Sequence, residues 1–156
     1  MSGPWRGRDT ITAFDTQYRT RGAGETEAKA EELARILEGG EVVALVGELG
    51  AGKTTFIRGI ARGLGVVDPL SVKSPSYTLV LAYPGPKPLL HVDAYFMKSP
   101  DDLDLCGVDD ALMEGQVVVV EWADRVMERL PERRILVSIE HLGAEEREIR
   151  ITGGKT

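Results

Sequence analysis

The chain has 156 residues, of which 42% are hydrophobic and 28% charged, and a formal net charge of −6. That length suits one domain with its own core, and the acidic balance argues against an autonomous nucleic-acid binder, which carries a basic footprint. The lone cysteine, Cys106, excludes an internal disulfide, and no apolar run approaches the ~20 residues of a membrane span.

Residues 1–9, rich in Gly, Arg and Pro, read as a flexible tail without the apolar core of a signal peptide, so the cytoplasm is the expected location. Residues 10–152 read as a single domain and 153–156 as a C-terminal tail. Thr10 to Thr20 alternates imperfectly through Ile11, Ala13, Phe14 and Tyr18, which predicts a strand ended by Gly22-Ala23-Gly24. From Thr26, a candidate N-cap, Ala30, Leu33, Ala34 and Leu37 share one helical face until Gly39-Gly40.

Val42 to Val46 is an apolar run suited to a strand buried on both faces. It leads into Gly47-Glu48-Leu49-Gly50-Ala51-Gly52-Lys53-Thr54, the G-x-x-x-x-G-K-[ST] pattern of a phosphate-binding loop. Glycines let successive backbone N–H groups turn inward around phosphate oxygens, where a Cβ would crowd the turn. Lys53 can place a point charge on the β- and γ-phosphates, and Thr54 can offer a hydroxyl to Mg²⁺. Phe56, Ile57, Ile60, Ala61 and Leu64 then trace the buried stripe of a helix that ends at Gly65 and aims its N-terminal dipole at the same phosphates. Arg58 and Arg62 on that helix, like Arg133-Arg134 later, read as solvated charges.

Ser74-Pro75-Ser76-Tyr77 should be extended or a turn, because a residue before proline avoids the helical region. Thr78 to Tyr83 and Leu89 to Val92 predict two strands joined by Pro84-Gly85-Pro86-Lys87, hence an antiparallel pair. Ser99 to Glu114 predicts one or two short helices with acids in their first turns, and its acids do not follow the spacing of a calcium loop. Val117 to Val120 predicts a strand, and Ala123 to Leu130 a short helix stopped by Pro131. Arg134 to Glu140 and Arg147 to Thr152 predict a terminal hairpin around Gly143. Together these elements predict an α/β, P-loop NTPase-like, three-layer fold whose sheet is mostly parallel with antiparallel hairpin additions.

A phosphate loop needs a second Mg²⁺ ligand and a group that orients or deprotonates the nucleophile. Asp93 follows Leu89-Leu90-His91-Val92, and Glu121 follows four valines, so both should lie at the carboxyl ends of strands, where α/β sheets collect their ligands. His91 shares a strand face with Asp93 and reads as a hydrogen-bonded structural residue. Trp122 has two readings, stacking on a base or filling core. The chain contains no asparagine, so the Asn-Lys-x-Asp guanine motif is absent and ATP is the expected nucleotide.

The ordered set Gly-Glu-Leu-Gly-Ala-Gly-Lys-Thr-Thr (47–55), Ser-Pro-Ser-Tyr-Thr-Leu (74–79), His-Val-Asp-Ala-Tyr (91–95) and Glu-Trp (121–122) resembles the TsaE family. These are small bacterial ATPases required for threonylcarbamoyladenosine modification of tRNA, and the resemblance covers residues 20–152. It implies ATP and Mg²⁺ as cofactors and the TsaD and TsaB subunits as partners, with tRNA contacted indirectly and no membrane. It also implies nucleotide contacts from Thr26, Glu48, Leu49, Gly50, Ala51, Gly52, Lys53, Thr54, Thr55 and Trp122. Thr54 and Glu121 would hold the metal, Asp93 and Lys53 would be catalytic, and Ser74, Pro75 and Ser76 would form a switch-like segment. Two positions depart from the family pattern: Ser76 stands where threonine is usual, and Phe96 where arginine is usual. Phe96 can supply neither the charge nor the forked hydrogen bonds of that arginine. A small-molecule or nucleotide kinase is the alternative reading, but such kinases carry an arginine-bearing lid and residues 99–116 contain no arginine.

Overall fold

Strands drawn from along the chain assemble one seven-stranded sheet. The structure, a computed structural model, describes residues 14–48, 52–66 and 80–153. The strands are β1 (Phe14–Thr20), β2 (Val42–Val46), β3 (Val80–Tyr83), β4 (Leu89–Asp93), β5 (Val117–Glu121), β6 (Ile135–Gly143) and β7 (Glu146–Gly153), and they lie in the order β1-β7-β6-β2-β5-β4-β3. The central four, β6, β2, β5 and β4, are parallel. Antiparallel partners extend both ends: β3 beside β4, and β7 then β1 beside β6. The sheet is thus mixed, a parallel centre between antiparallel additions. The strand expected over 10–20 begins at Phe14 among the described residues, and Thr78–Leu79 lie outside them.

Helices cover both faces, giving the three layers expected. α1 (Ala23–Ile36) and α2 (Lys53–Leu64) pack on one face, where Ala30, Leu33, Phe56 and Ile57 share a core with Leu89, Val117, Val119 and Val137. α3 (Val108–Met113) and the 3₁₀ turn Pro100–Cys106 cover the other, over Val42, Ala44, Leu90, Val118 and Val120. This division follows the two-residue period of a strand: Leu89, His91 and Asp93 share the α1/α2 face, as do Val117, Val119 and Glu121. Every residue of β4 and β5 is buried, which is why β5 reads as a continuous apolar run up to Glu121, while in β4 His91 and Asp93 are polar groups held inside.

Two elements differ from expectation. α1 starts at Ala23, with Gly22 at the N-cap, so Thr26 lies within the helix and is not its cap. The first turn closes through the backbone, Thr26 N donating to Gly22 O at 3.1 Å, and the Thr26 hydroxyl is turned inward to Thr20 Oγ1 at 2.7 Å. The segment expected as a helix over 123–130 is instead two 3₁₀ turns, Ala123–Arg125 and Met127–Arg129. Trp122 enters it in the left-handed region (φ 56°) and Val126 interrupts it (φ −131°), with Ala123 and Val126 both fully buried against the sheet.

Candidate nucleotide site

The site forms where β2 ends and α2 begins. Gly52 caps α2 with φ 100°, a conformation that costs a side-chain-bearing residue strain, and its carbonyl accepts from Phe56 N at 3.0 Å. Lys53 is therefore the first helical residue, and only 6% of it is exposed. Its Nζ donates to Gly47 O and, at 3.3 Å, to Glu48 O, and lies 3.7 Å from the centroid of the Trp122 ring. The ammonium is thus folded over the start of its own loop. Burial lowers the Lys53 pKa, and the negative charges of Glu121, Asp93 and Asp124 oppose that shift.

Asp93 and Glu121 are the last residues of adjacent parallel strands and stand directly opposite one another in register. They are 8% and 3% exposed, and strand alternation points both to the α2 side of the sheet. Asp93 Oδ1 accepts from Tyr95 N at 2.9 Å. Burial raises the Asp93 pKa, and the like charge of Glu121 adds to it, against the Tyr95 N–H, His91 and Lys53. His91, fully buried, meets Glu121 Oε2 through Nε2 at 2.7 Å, so the hydrogen-bonded role read from the sequence is met.

Thr54 and Thr55 occupy the first turn of α2. Thr55, Thr26 and Gly52 line a small cavity of about 90 Å³ with Gly22, Ala23, Glu145 and Arg147. Trp122 lines a different, open cleft of about 480 Å³ with Val46, Gly47, Glu48, Asp124 and Met127. Thr26 and Trp122 thus belong to separate cavities, to which Gly52 and Glu48, from the two ends of the phosphate loop, contribute. The Trp122 ring packs 4.9 Å from Tyr95, which meets Phe96 edge-on at 4.7 Å. Phe96 itself is 60% exposed and presents an apolar ring where the family pattern has an arginine. Leu49, Gly50, Ala51, Ser74, Pro75 and Ser76 lie outside the described residues.

Oxygen donors at the carboxyl ends of β4 and β5 are Asp93 and Glu121, with the Thr54 hydroxyl on the helix beginning beside them. Among the described residues, no three His, Cys, Asp or Glu side chains group to hold a metal by themselves. The sequence reading missed Glu145 and Arg147. β6 continues past Ser138, where β2 ends, to Gly143, and the returning hairpin carries both residues to Gly52 and Gly22. A Cβ on Gly52 would sit 3.5 Å from Arg147 Nε, ordinary contact distance, so the arginine lies directly beside the loop and it is the φ of 100° that favours glycine there. No local pattern marks Arg147, because its place depends on the hairpin register alone.

A family model described as "Threonylcarbamoyl adenosine biosynthesis protein TsaE" matches residues 20–149. The tRNA threonylcarbamoyladenosine biosynthesis protein TsaE of Bacillus subtilis (strain 168) is 40% identical over 137 residues, spanning 87% of this chain and 84% of the relative. The protein of the same name from Treponema pallidum (strain Nichols) is 37% identical over 132 residues, spanning 85% of this chain and 96% of the relative. Among solved structures, the crystal structure of Bacillus subtilis YdiB is similar with a TM-score of 0.72 at 34% identity, over 92% of this chain and 88% of that one. With the family model spanning most of the chain, and relatives this similar over most of their own length, the chain belongs to the TsaE family.

Proposed function

We propose that this chain is the Mg²⁺-dependent ATP-binding and ATP-hydrolysing subunit of tRNA threonylcarbamoyladenosine synthesis in the cytoplasm, working with TsaD and TsaB. In that reading the partners modify the adenosine beside the anticodon in tRNAs reading codons that begin with A, and this chain reaches tRNA only through them. The observation that carries the proposal is the pair Asp93 and Glu121, in register at strand ends on the face that also carries Lys53.

The residues fit a divalent cation. Burial chiefly, and then the neighbouring charge of Glu121, disfavour the ionised form of Asp93, a cost that a cation between the two carboxylates would relieve. Mg²⁺ takes one or two carboxylates, a hydroxyl, waters and phosphate oxygens rather than an all-protein cage, so the carboxylates present suffice for it. Thr54 and Glu121 would hold it, and when bound it would neutralise charge on the β- and γ-phosphate oxygens.

The chain's own residues account for the rest. Lys53 Nζ exchanges the carbonyls of Gly47 and Glu48 for phosphate oxygens, a stronger, charge-assisted contact. The amino end of α2 adds its dipole. Asp93, with proton affinity raised by burial, orients a water and accepts its proton as the water oxygen bonds to the γ-phosphorus and the ADP oxygen leaves. Thr26, Thr55 and Arg147 line the cavity on the far side of Gly52 and receive the rest of the nucleotide. No helix among the described residues is long and apolar enough to cross a membrane.

The test is reconstitution of tRNA modification with TsaB and TsaD under multiple-turnover conditions, with and without this chain, while ATP hydrolysis is followed in parallel. The expected result is slow hydrolysis by the chain alone, altered by the partners, and sustained modification only in its presence. Phosphate transfer to a small molecule in place of hydrolysis would replace this reading with that of a kinase.

A further inference from the structure

The buried His91–Glu121 contact does more than satisfy a polar group. His91 lies on β4 opposite Val119, two residue pairs deeper than Asp93 and on the same face, so its ring reaches diagonally to Glu121 on β5. The ring is fully buried, and Nε2 to Oε2 is 2.7 Å. Its other nitrogen, Nδ1, is buried without a hydrogen-bond partner. A carboxylate oxygen only accepts, so the contact is a hydrogen bond that His91 Nε2–H donates to Glu121 Oε2. Such a donor fixes the plane of the carboxylate.

We infer that His91 is a positioning residue that holds the Glu121 carboxylate in the orientation that receives the divalent cation. The inference rests on the proposed function, because it presumes that a cation binds with the nucleotide. Hydrogen-bonding partners of metal-binding side chains act in this way generally, and losing one weakens metal affinity about 10–100-fold. The alternative is that His91 merely fills the core beside Val119, in which case its loss would cost stability and nothing specific to Mg²⁺.

Two substitutions separate these roles. His91→Gln places an amide N–H near the position of Nε2, whereas His91→Asn is too short to reach Glu121. In a Trp5→Phe background, Trp122 emission would report ADP binding while Mg²⁺ is titrated. His91→Asn should raise the Mg²⁺ midpoint about 10–100-fold and leave Mg²⁺-free ADP binding unchanged; His91→Gln should stay close to the parent. A folded His91→Asn with an unmoved midpoint, or with Mg²⁺-free binding weakened just as much, would overturn the inference. The parent protein supplies a test that needs no substitution. The imidazole ¹⁵N resonance of His91 Nε2 should shift when Mg²⁺ joins bound ADP and not on ADP alone, with exposed His141 as the internal control; indifference to Mg²⁺ would overturn the inference. If ADP binding by the parent ignores Mg²⁺ altogether, the proposed function fails and the inference falls with it; a Mg²⁺-dependent parent with an indifferent His91 sinks the inference alone.

Discussion

Replacing Gly59 by alanine tests whether the crossing of α1 and α2 carries the site. Isolated helices gain from this change, about 1 kcal/mol per glycine removed from a helix interior. Here a Cβ at Gly59 would overlap the carbonyl oxygen of Glu27 and sit 2.7 Å from Ala30 Cβ. One turn on, a Cβ at Gly63 would sit 2.6 Å from Ala34 Cβ and 2.8 Å from Glu31 O. Neither neighbour is a flexible side-chain tip, so the helices must part. Overpacking of this kind costs about 1–3 kcal/mol, and backbone overlap puts Gly59 at the top of that range, for a net loss of about 2 kcal/mol. In a domain of this size that is a fall of about 4–8 °C in Tm. Since α1 carries Thr26 and α2 carries Lys53, Thr54 and Thr55, nucleotide affinity should fall as well. Gly24 is the control: it lies in α1, and a Cβ added there would meet nothing within 4 Å, so Gly24→Ala should stabilise by about 0.5 kcal/mol. Thermal melts of both variants, with ADP titrations on the folded proteins, give the answer. An unchanged or raised Tm for Gly59→Ala would refute the close-crossing argument.

Lys53→Ala should abolish nucleotide binding in an equilibrium titration, and retained affinity would show that the phosphates are held by other groups. Asp93→Asn keeps the acceptor for Tyr95 N and should retain binding while losing hydrolysis; full turnover would remove Asp93 from the mechanism. The same variant carries a pH prediction. Because the native Asp93 pKa is raised, chiefly by burial and then by Glu121, the folded state keeps a proton that the unfolded chain has released. Stability therefore falls as pH rises from the ordinary carboxylate value through the raised one. Asp93→Asn should lose that component and be the more stable protein at neutral pH without nucleotide; a parent whose melts fall no more steeply than the variant's would refute it. In the Trp5→Phe background, nucleotide should change Trp122 emission as Lys53 Nζ leaves its place 3.7 Å from the ring, and an unchanged spectrum would make Trp122 core alone.

The parts legible in the sequence were those whose physics is local. Five apolar residues before a glycine-rich turn, and a helical stripe after it, located β2, the loop and α2, because strand burial and helix periodicity act over a few residues. The short Pro84–Lys87 connection made β3 and β4 antiparallel, since nothing longer than a hairpin fits there. Local signals failed where tertiary packing set the backbone. Thr26 has the chemistry of an N-cap, but its hydroxyl pairs with Thr20 and the helix begins three residues earlier. Residues 123–130 have helical composition, yet burying Ala123 and Val126 after the left-handed Trp122 leaves only 3₁₀ turns.

By itself, the sequence determined a phosphate loop, two acids at strand ends and an ordered set of motifs that resembles one family. Each of these follows from residue type and spacing over a few positions. Only the tertiary structure decided which of those groups share an electrostatic neighbourhood. The parallel pairing of β4 and β5 set Asp93 opposite Glu121, joined His91 to that carboxylate and made the two acids repel. The reach of the β6–β7 hairpin brought Arg147, from the last strand of the chain, beside Gly52 in its first half. Such neighbours are set by strand order and register, which depend on how distant segments bury their faces together, and no window of a few residues contains that information.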